Sequence, residues 1–423
     1  MRAMGAGRWG ALCLMATVGC RGEPAAWNPC DPQPQVTLGR AGASLSAPFV
    51  LGDETGFVVF WGGEVVEADP GTAGVFAARR DSGRVTLVPG VNAQILSSVV
   101  VEGGYLVCWA DGAGRADELD RGGCGVVDRH LGWIRPDARP SFGIVLAMGR
   151  IDGHLHALVD DGAINDDHYA LIPLDETGEA VGAPVDWPCA GASADVVWGD
   201  AGLGCLRGSK PGCGRQFDEP PDCVTDLDVF DGTGARRWTA SNVAPFGIYG
   251  SRAITRLAAN EHGFTVAWQD HSGALGMRLV EDDGTVGPRT EVTPPQPMSL
   301  VDAFPVPGGT LLLGVPSSGT SDRRPLLHRV DDDASAPAAT TRLGDASGAL
   351  PLWHGPTAVG TTGGATAIAW LASSEAALDS PFVALQNLGC GMQEDSEGDT
   401  KVLADQGSHA RRGLLDRRGH RRR

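Results

Sequence analysis

The chain repeats a pattern of about fifty residues, and this repetition limits its possible folds more than any other feature. The clearest copy opens with the apolar stretch 263–268, which begins at a glycine and ends at Trp268. A polar turn, a second apolar run at 275–280 and an Asp-Gly turn at 282–285 follow. Short apolar runs bounded by such turns predict β-strands.

Seven copies of this pattern can be aligned along the sequence. The first apolar stretches are 56–61, 104–109, 153–158, 195–198, 263–268, 309–314 and 365–370, and the second are 75–79, 124–128, 169–174, 227–230, 275–280, 326–330 and 382–385. The first stretches end at Trp61, Trp109, Leu158, Trp198, Trp268, Gly314 and Trp370, with successive spacings of 48, 49, 40, 70, 46 and 56 in sequence number. The spacing of 70 coincides with an insertion that carries three cysteines.

This period, with several short strands per unit, predicts an all-β fold in which each unit is one blade of a β-propeller. Several of the strands are apolar on both faces, as strands are when other sheets cover both of their sides. Seven blades are the first expectation, and eight are the alternative, because the long spacing could hide a degenerate unit. We expect the propeller to occupy residues 35–393.

A propeller of this kind must join its two ends, because an open blade edge leaves backbone groups unpaired. The early strand at 35–38 can complete the blade that contains 382–385. Cys30 and Cys390 lie at the two ends of the repeat region, and a bond between them would lock this closure.

The N-terminus has the features of an export signal. Arg2 and Arg8 precede a short apolar segment at 9–18, which is too short to span a bilayer. The sequence Thr-Val-Gly-Cys at 17–20 resembles the lipobox of bacterial lipoproteins, although Thr17 stands where leucine is usual. The resemblance implies a signal peptide at 1–19, a lipid on Cys20 and a linker at 20–34. Ordinary secretion and an uncleaved anchor are the alternatives.

Cysteine spacing also indicates export. Eight cysteines remain when Cys13 in the signal segment and Cys20 are set aside, and an even number predicts disulfides. The candidate pairs are Cys108 with Cys124, Cys189 with Cys205, Cys213 with Cys223, and Cys30 with Cys390. A zinc site formed by Cys189, Cys205, Cys213 and Cys223 is the alternative, but no Cys-x-x-Cys spacing supports it.

Charge and composition limit the classes of partner that the protein can bind. The formal net charge of −18 argues against nucleic-acid binding, which requires positive surface. Residues 394–423 are polar and end in clustered arginines, which predicts a disordered tail that either has no role or contacts an anionic surface or the acidic body of the protein. We expect a monomer that is attached to the membrane through its N-terminal lipid.

The Gly-aromatic-x-Val-x-Trp and Asp-x-x-Gly repeats resemble those of secreted bacterial β-propeller lipoproteins of unknown function, over about residues 35–390. Residues 227–234, followed by Trp238, are similar to the blade motif of quinoprotein-type propellers. That motif occurs once, so it supports the fold and does not imply a quinone. The resemblance implies architecture and export to the outer membrane or cell surface, with a periplasmic or secreted protein as the alternative.

Three groups of residues could carry chemistry, and each also has a structural explanation. His154, His156, Asp160, Asp161 and His168 could bind a metal, or the two strand histidines could pack within their unit. The acidic runs 166–167, 281–283 and 331–333 could bind calcium, but they fall where turns are expected. The repeated tryptophans could stack on carbohydrate, or they could fill the space between blades. We therefore expect no metal or other cofactor, with calcium as the alternative.

No catalytic residue set can be assigned from the sequence. A Gly-x-Ser-x-Gly elbow and a phosphate-binding glycine loop are both missing, and 52 acidic residues leave any carboxylate pair ambiguous. We expect a binding or scaffold module at the cell envelope that engages a protein or a glycan. The alternative is an exported hydrolase or lyase, which should place several carboxylates, histidines or arginines together at the mouth of the central channel.

Overall fold

The computed structural model contains strands and turns, and no helix, in the residues that it describes. These residues are 36–40, 48–63, 73–91, 93–111, 121–136, 144–160, 169–189, 195–210, 213, 223–245, 254–270, 272–306, 308–316, 324–331, 339–343, 349–351, 357–362, 365–374 and 377–388. Within these ranges, no helix has the length and apolar character that crossing a membrane would require.

Six antiparallel four-stranded sheets follow one another along the chain after the first strand, β1 (Val36–Arg40), and each sheet is one blade. Blade 1 contains β2 (Phe49–Asp53), β3 (Gly56–Gly63), β4 (Gly74–Arg79) and β5 (Val85–Pro89). Blade 2 contains β6 (Ala93–Val101), β7 (Gly104–Asp111), β8 (Arg121–Asp128) and β9 (Trp133–Arg135), and blade 3 contains β10 (Ile144–Ile151), β11 (His154–Asp160), β12 (Tyr169–Pro173) and β13 (Val185–Asp186). Blade 4 contains β14 (Val196–Gly199), β15 (Gly202–Gly208), β16 (Val224–Phe230) and β17 (Arg236–Pro245). Blade 5 contains β18 (Ile254–Asn260), β19 (Gly263–Gln269), β20 (Leu275–Glu281) and β21 (Thr290–Val292), and blade 6 contains β22 (Met298–Val306), β23 (Gly309–Pro316), β24 (Leu326–Asp331) and β25 (Ala339–Arg342).

The seventh blade closes the ring with strands from both ends of the chain. It contains β26 (Ala349–Pro351), β27 (Thr357–Thr362), β28 (Ala365–Ser374), β29 (Ala377–Asn387) and the early strand β1. β1 pairs antiparallel with β29, with Val36 opposite Leu385. The seven-bladed ring and its closure by the early strand are thus confirmed. Cys30 and Cys390 lie outside the described residues.

The two ends of each blade define two faces of the ring. Short hairpins join the first and second strands of the blades, and they share one end of the sheet with the third-to-fourth strand connections. We call this end the turn face. The opposite end, which we call the loop face, carries the connections between second and third strands and those between blades.

Contacts between blades show that these turns lie on a common face. Arg79 in blade 1 donates to the carbonyl oxygen of Arg129 in the blade 2 turn at 3.0 Å. The backbone amide of Glu102 in blade 2 donates to Glu176 in the blade 3 turn at 3.1 Å. The indole of Trp238 in blade 4 donates to the carbonyl of Asp282 in the blade 5 turn at 2.8 Å.

Apolar side chains between adjacent blades form the core. Trp61, Trp109, Trp268 and Trp370 are buried in four of these interfaces. Trp268 lies opposite Gly276 on the third strand, and a Cβ on Gly276 would come within 2.5 Å of the indole ring. Trp109 lies opposite Gly123 in the same way. In blades 2 and 5, a glycine on the third strand therefore leaves room for the tryptophan on the second strand, whereas in blade 1 Trp61 packs against Phe76.

The glycine that opens the second strand has its own physical reason. Gly263 has a φ of 133°, and a Cβ there would lie 2.2 Å from the carbonyl oxygen of Val280 on the third strand. Gly202 has a φ of 130°, and its Cβ would lie 2.5 Å from the carbonyl of Phe230. Both positions accept only glycine without a shift of the backbone.

The expected alignment of the fourth unit is wrong by one strand. Trp198 is buried, but it lies on β14, the first strand of blade 4, where it packs against Gly149 of blade 3. The second strand is β15, and the residue in the tryptophan position is Arg207, opposite Asp226. With Arg207 in that place, the longest spacing between units becomes shorter. Both strands are short and apolar, so the tryptophan gave a misleading register.

Three disulfides are present in the described residues. Cys108 and Cys124 are directly opposite each other on β7 and β8, with Cα atoms 4.1 Å apart. Cys189–Cys205 links the connection after blade 3 to β15, and Cys213–Cys223 spans the insertion of blade 4. These are the three short-range pairs that the cysteine spacing predicts, and they are typical of an oxidising compartment outside the cytoplasm.

Aspartates at the turns act as backbone hydrogen-bond acceptors. Asp231 accepts from the amide nitrogens of Thr233 and Ala235 at 2.8 and 3.0 Å, and Asp175 accepts in the same way from Thr177 and Glu179. In the acidic run 281–283, Asp283 accepts from the amide of Thr285 at 2.8 Å. These contacts are turn chemistry. Asp166, Asp167, Asp332 and Asp333 lie outside the described residues.

Candidate functional site

The first strands of the blades surround the channel, and the charged side chains there contact backbone groups. Arg256 donates to the carbonyl oxygens of Val301 at 2.6 Å and of Thr255 at 2.7 Å. Asp195 accepts from the amide of Leu257 in the next blade at 3.1 Å. These contacts hold neighbouring blades together.

The two histidines on the second strand of blade 3 lie in different environments, one buried and one exposed. His156 is buried, its Nδ1 lies 2.8 Å from the carbonyl oxygen of His154, and its ring contacts Gly232 of blade 4. Burial lowers the pKa of His156 below its usual value. His154 is exposed, and Asp161 and His168 lie outside the described residues. No group of three or more metal-ligating side chains occurs in the described ranges.

A buried polar network lies at the turn face between blades 1 and 2. Arg79 donates to the hydroxyl of Tyr105 at 2.6 Å and to Asp53 at 3.3 Å, and the Tyr105 hydroxyl donates to Asp53. Burial, followed by the Asp53 hydrogen bond, raises the pKa of Tyr105. Burial acts to raise the pKa of Asp53 as well, but hydrogen bonds from Thr55, Tyr105 and Arg79 outweigh it, and that pKa is lowered. This network is an internal contact between blades.

The repeated core pattern is replaced by charge at one place, the second and third strands of blade 4. Arg207 occupies the tryptophan position, and its Nε donates to Asp228 while its Nη2 lies 4.0 Å from Asp226. Asp226 is opposite Arg207, and Asp228 is two residues further along the same side of β16. A guanidinium and two carboxylates thus stand where blades 2, 5 and 7 place an indole ring opposite glycine or alanine.

Other groups of blade 4 hold the two carboxylates in place. The Thr239 hydroxyl donates to Asp228, and the amide of Asn242 donates to Asp226 at 2.9 Å. Arg236 lies 3.7 Å from Asp228. Asp226 and Asp228 are 7% and 4% exposed, whereas the side chain of Arg207 is 37% exposed. The buried carboxylates therefore fix an arginine that still reaches solvent.

The facing surface of blade 3 adds aromatic side chains. Alternation along β15 places Arg207 on the same side as Leu203 and Cys205, which belong to the core between blades 3 and 4. Half-buried Trp187 packs against that core. Tyr169 is on the same side of β12 as Leu171, another residue of that core, and it is half-buried. The charged group and the two aromatic residues therefore belong to one interface.

This group lies at the loop-face end of the interface. β15 ends, and β16 begins, at the connection 209–223, which is the longest between any second and third strand. The Cys189–Cys205 disulfide joins the connection after blade 3 to β15 two residues before Arg207. We define the blade 3–4 site as Tyr169, Trp187, Arg207, Asp226 and Asp228.

The sequence analysis assigned no functional role to any of the five site residues, although the insertion with three cysteines adjoins the site. A usable signal existed in Gly202. Counting five residues from this glycine, as from Gly263 to Trp268, leads to Arg207. The arginine and the aspartate opposite it would then have stood out against the tryptophan–glycine pairs of blades 2 and 5.

No protein-family model matches the sequence, and a search of curated proteins gave no match. Solved structures that are similar in shape include the polysaccharide lyase Uly1, with 9% identity, a TM-score of 0.48, and coverage of 82% of this chain and 90% of the lyase. A prolyl endopeptidase has 12% identity and a TM-score of 0.43 over 81% of this chain and 48% of its own. The SapL1 lectin, solved with alpha methyl fucoside, has 12% identity and a TM-score of 0.34 over 71% and 97%. At these values we base no functional argument on them.

Proposed function

We propose that the protein is an exported, lipid-anchored binding module that recognises a glycan through the blade 3–4 site. The observation that carries the proposal is the replacement of the core tryptophan by Arg207, which Asp226 and Asp228 hold in place. A buried ion group adds little to stability compared with an apolar core of similar volume. Its presence at the loop-face end of one interface is therefore better explained by recognition.

The chemistry of the blade 3–4 site suits a saccharide. A sugar ring offers an apolar face that stacks on an aromatic side chain, and the interface that contains the charged group also contains Trp187 and Tyr169. Its hydroxyls both donate and accept hydrogen bonds, so they can pair with carboxylate oxygens and guanidinium N–H groups together. The side chain of Arg207 is 37% exposed, so we expect a bound sugar to reach its guanidinium.

Export and anchoring rest on separate observations. The disulfides suit an oxidising compartment. The lipobox-like sequence at 17–20 supports a lipid on Cys20, and therefore a place at the outer membrane or cell surface. Metabolic labelling with an alkyne fatty acid tests this step, because Cys20→Ser should abolish the label. Labelling that persists in Cys20→Ser would exclude Cys20 as the acceptor.

A glycan panel tests the site. The mature protein should bind at least one of a set of immobilised neutral and acidic oligosaccharides, and Arg207→Ala should weaken binding by about tenfold or more. Arg237→Ala is the matched control, because it removes an arginine from the same blade at the turn face, where it pairs with Asp152. Equal losses in both variants, or no binding to any oligosaccharide of the panel, would contradict a glycan site.

The same panel distinguishes the enzyme alternative. Incubation of each bound oligosaccharide with the protein, followed by mass spectrometry of the products, reports cleavage directly. Intact oligosaccharides are expected from a binding module. Released fragments that disappear in Asp226→Asn or Asp228→Asn would support a hydrolase or lyase at this interface in its place.

A further inference from the structure

The polarity of the closing strands determines where both chain ends leave the propeller. β28 and β29 are joined at the loop face, so β29 runs towards the turn face. β1 is antiparallel to β29, so it begins at the turn face and runs towards the loop face. The segment before Val36 and the segment after Leu388 therefore both depart from the turn face, beside blade 7.

Register confirms this placement. Val36 lies opposite Leu385, near the end of β29. The amide of Leu388 donates to the carbonyl of Thr366 at 2.8 Å, and Thr366 is at the start of β28, next to its hairpin with β27. Hairpins between first and second strands define the turn face. The loop face, with the blade 3–4 site, is at the opposite end of the sheets.

Because both chain ends leave from one face, the separation of the two faces and the length of the linker decide which face a lipid anchor holds near the membrane. Seven-residue strands such as β19 separate the two faces by roughly 20 Å, to which the turns add. The linker from Cys20 to Val36 reaches about 55 Å when fully extended. A relaxed linker spans much less than its extended length, so the face from which it departs is the one closest to its attachment point.

The chain after Leu388 also leaves from the turn face, and its sequence is rich in arginine. Residues 411–423 contain seven arginines and one acidic residue, Asp416. Anionic lipid headgroups attract basic residues near a membrane surface by about 1 kcal/mol each. The turn face itself carries exposed acidic residues such as Glu54, Glu102 and Asp282, which an anionic surface would repel. The arginines offset this repulsion.

We propose that the turn face lies towards the membrane, held by the lipid on Cys20 and by the arginines of 411–423 on anionic phospholipid headgroups. The loop face and the blade 3–4 site then point away from the bilayer, towards ligands in the surrounding space. This orientation rests on the proposed lipid anchor, but it is independent of the ligand that the site binds.

Energy transfer to labelled lipids measures the orientation in the full-length lipidated protein. A donor dye is attached through an azide-bearing amino acid at Glu261, in an exposed hairpin of the turn face, or at Thr293, in an exposed connection of the loop face. Both positions flank strands of blade 5, away from the site. Vesicles contain phosphatidylcholine and phosphatidylglycerol in a two-to-one ratio, with a headgroup-labelled acceptor. We expect at least twofold higher transfer from position 261, and equal or reversed transfer would overturn the orientation.

Two further arms separate the parts of the proposal. Replacement of the seven arginines of 411–423 by glutamine, at constant length, should reduce the transfer ratio in phosphatidylglycerol vesicles and leave it unchanged in pure phosphatidylcholine. An unchanged ratio in both would overturn the role of the arginines. Flotation on pure phosphatidylcholine vesicles, which do not attract the arginines, tests the anchor alone. If it is equal for the wild type and Cys20→Ser, the lipid anchor is overturned, and with it the lipid-anchored part of the proposed function.

Discussion

Blades 4 and 5 use the same backbone position for opposite purposes. In blade 5, Trp268 lies opposite Gly276 and is 2% exposed. In blade 4, Arg207 lies opposite Asp226, and its side chain is 37% exposed. The strand pairing at the two positions is equivalent, so the fold does not require a particular chemistry there. What differs is the cover that the preceding blade provides.

The preceding blades explain why one position is sealed and the other is not. Trp268 faces blade 4, whose outer strand β17 has ten residues and contributes Ala240, Val243 and Ala244 to the shared core. Arg207 faces blade 3, whose outer strand β13 has only two residues. A short outer strand leaves the outer part of an interface open to solvent, where a charged group costs less to keep.

Removal of the indole is the strongest test of this difference. Trp268→Ala should lower the free energy of unfolding by about 3–5 kcal/mol, because it leaves a cavity against a glycine that cannot fill it. Urea denaturation followed by circular dichroism measures this loss. A loss no larger than that caused by Arg207→Ala would mean that the blade 5 interface is as open as the blade 4 position.

Two disulfides that join cysteines at the same sequence separation provide the next test of how the blade 3–4 interface differs from the others. Cys108–Cys124 and Cys189–Cys205 both join residues 16 apart, so loss of either should cost about 3 kcal/mol in the chain-entropy model. Only the second borders the blade 3–4 site. Cys189→Ala/Cys205→Ala should therefore also weaken glycan binding, whereas Cys108→Ala/Cys124→Ala should not. Equal binding in both double variants would separate the disulfide from the site.

Loss of the arginine should have an intermediate effect. Arg207→Ala leaves Asp226 and Asp228 buried without their guanidinium, which should cost about 1–3 kcal/mol of stability. Arg237→Ala is the control, because its pair with Asp152 is at the surface and should contribute at most about 1 kcal/mol. A double-mutant cycle of Arg207→Ala and Asp228→Ala measures the coupling directly. A coupling near zero would remove the argument that Asp228 positions Arg207.

The sequence predicted the fold better than the site, for a physical reason. Strand cores and turns repeat because every blade must pack between two neighbouring blades. The seven units, the closing strand and three disulfides could therefore be inferred from spacing. The blade 3–4 site exists because one blade departs from that solution. Repetition cannot reveal a departure until the register is known, and Trp198 obscured the register of blade 4.

Backbone requirements would have been the better guide to that register. Gly202 and Gly263 are glycine because a third-strand carbonyl approaches each closely, and this need persists when the core residue changes. The tryptophan position has no such constraint. It is Leu158 in blade 3, Arg207 in blade 4 and Gly314 in blade 6. The partners from blade 3 belong to a different unit, so no pattern within unit four could identify them.

The smallest expected effect concerns pH at the same blade 3–4 interface. Burial lowers the pKa of His156 below its unfolded value of 6.5. Between the two pKa values the unfolded chain binds a proton that the folded chain does not, so stability is full above pH 6.5 and falls as the pH drops towards the folded pKa. His156→Gln should make this fall shallower in urea denaturation between about pH 7.5 and pH 5, whereas His262→Gln, at an exposed hairpin, should keep the wild-type slope. If both variants keep the wild-type dependence of unfolding free energy on pH, protonation of His156 does not weaken the blade 3–4 interface. Solvent exposure of that interface would then be confined to its loop-face end.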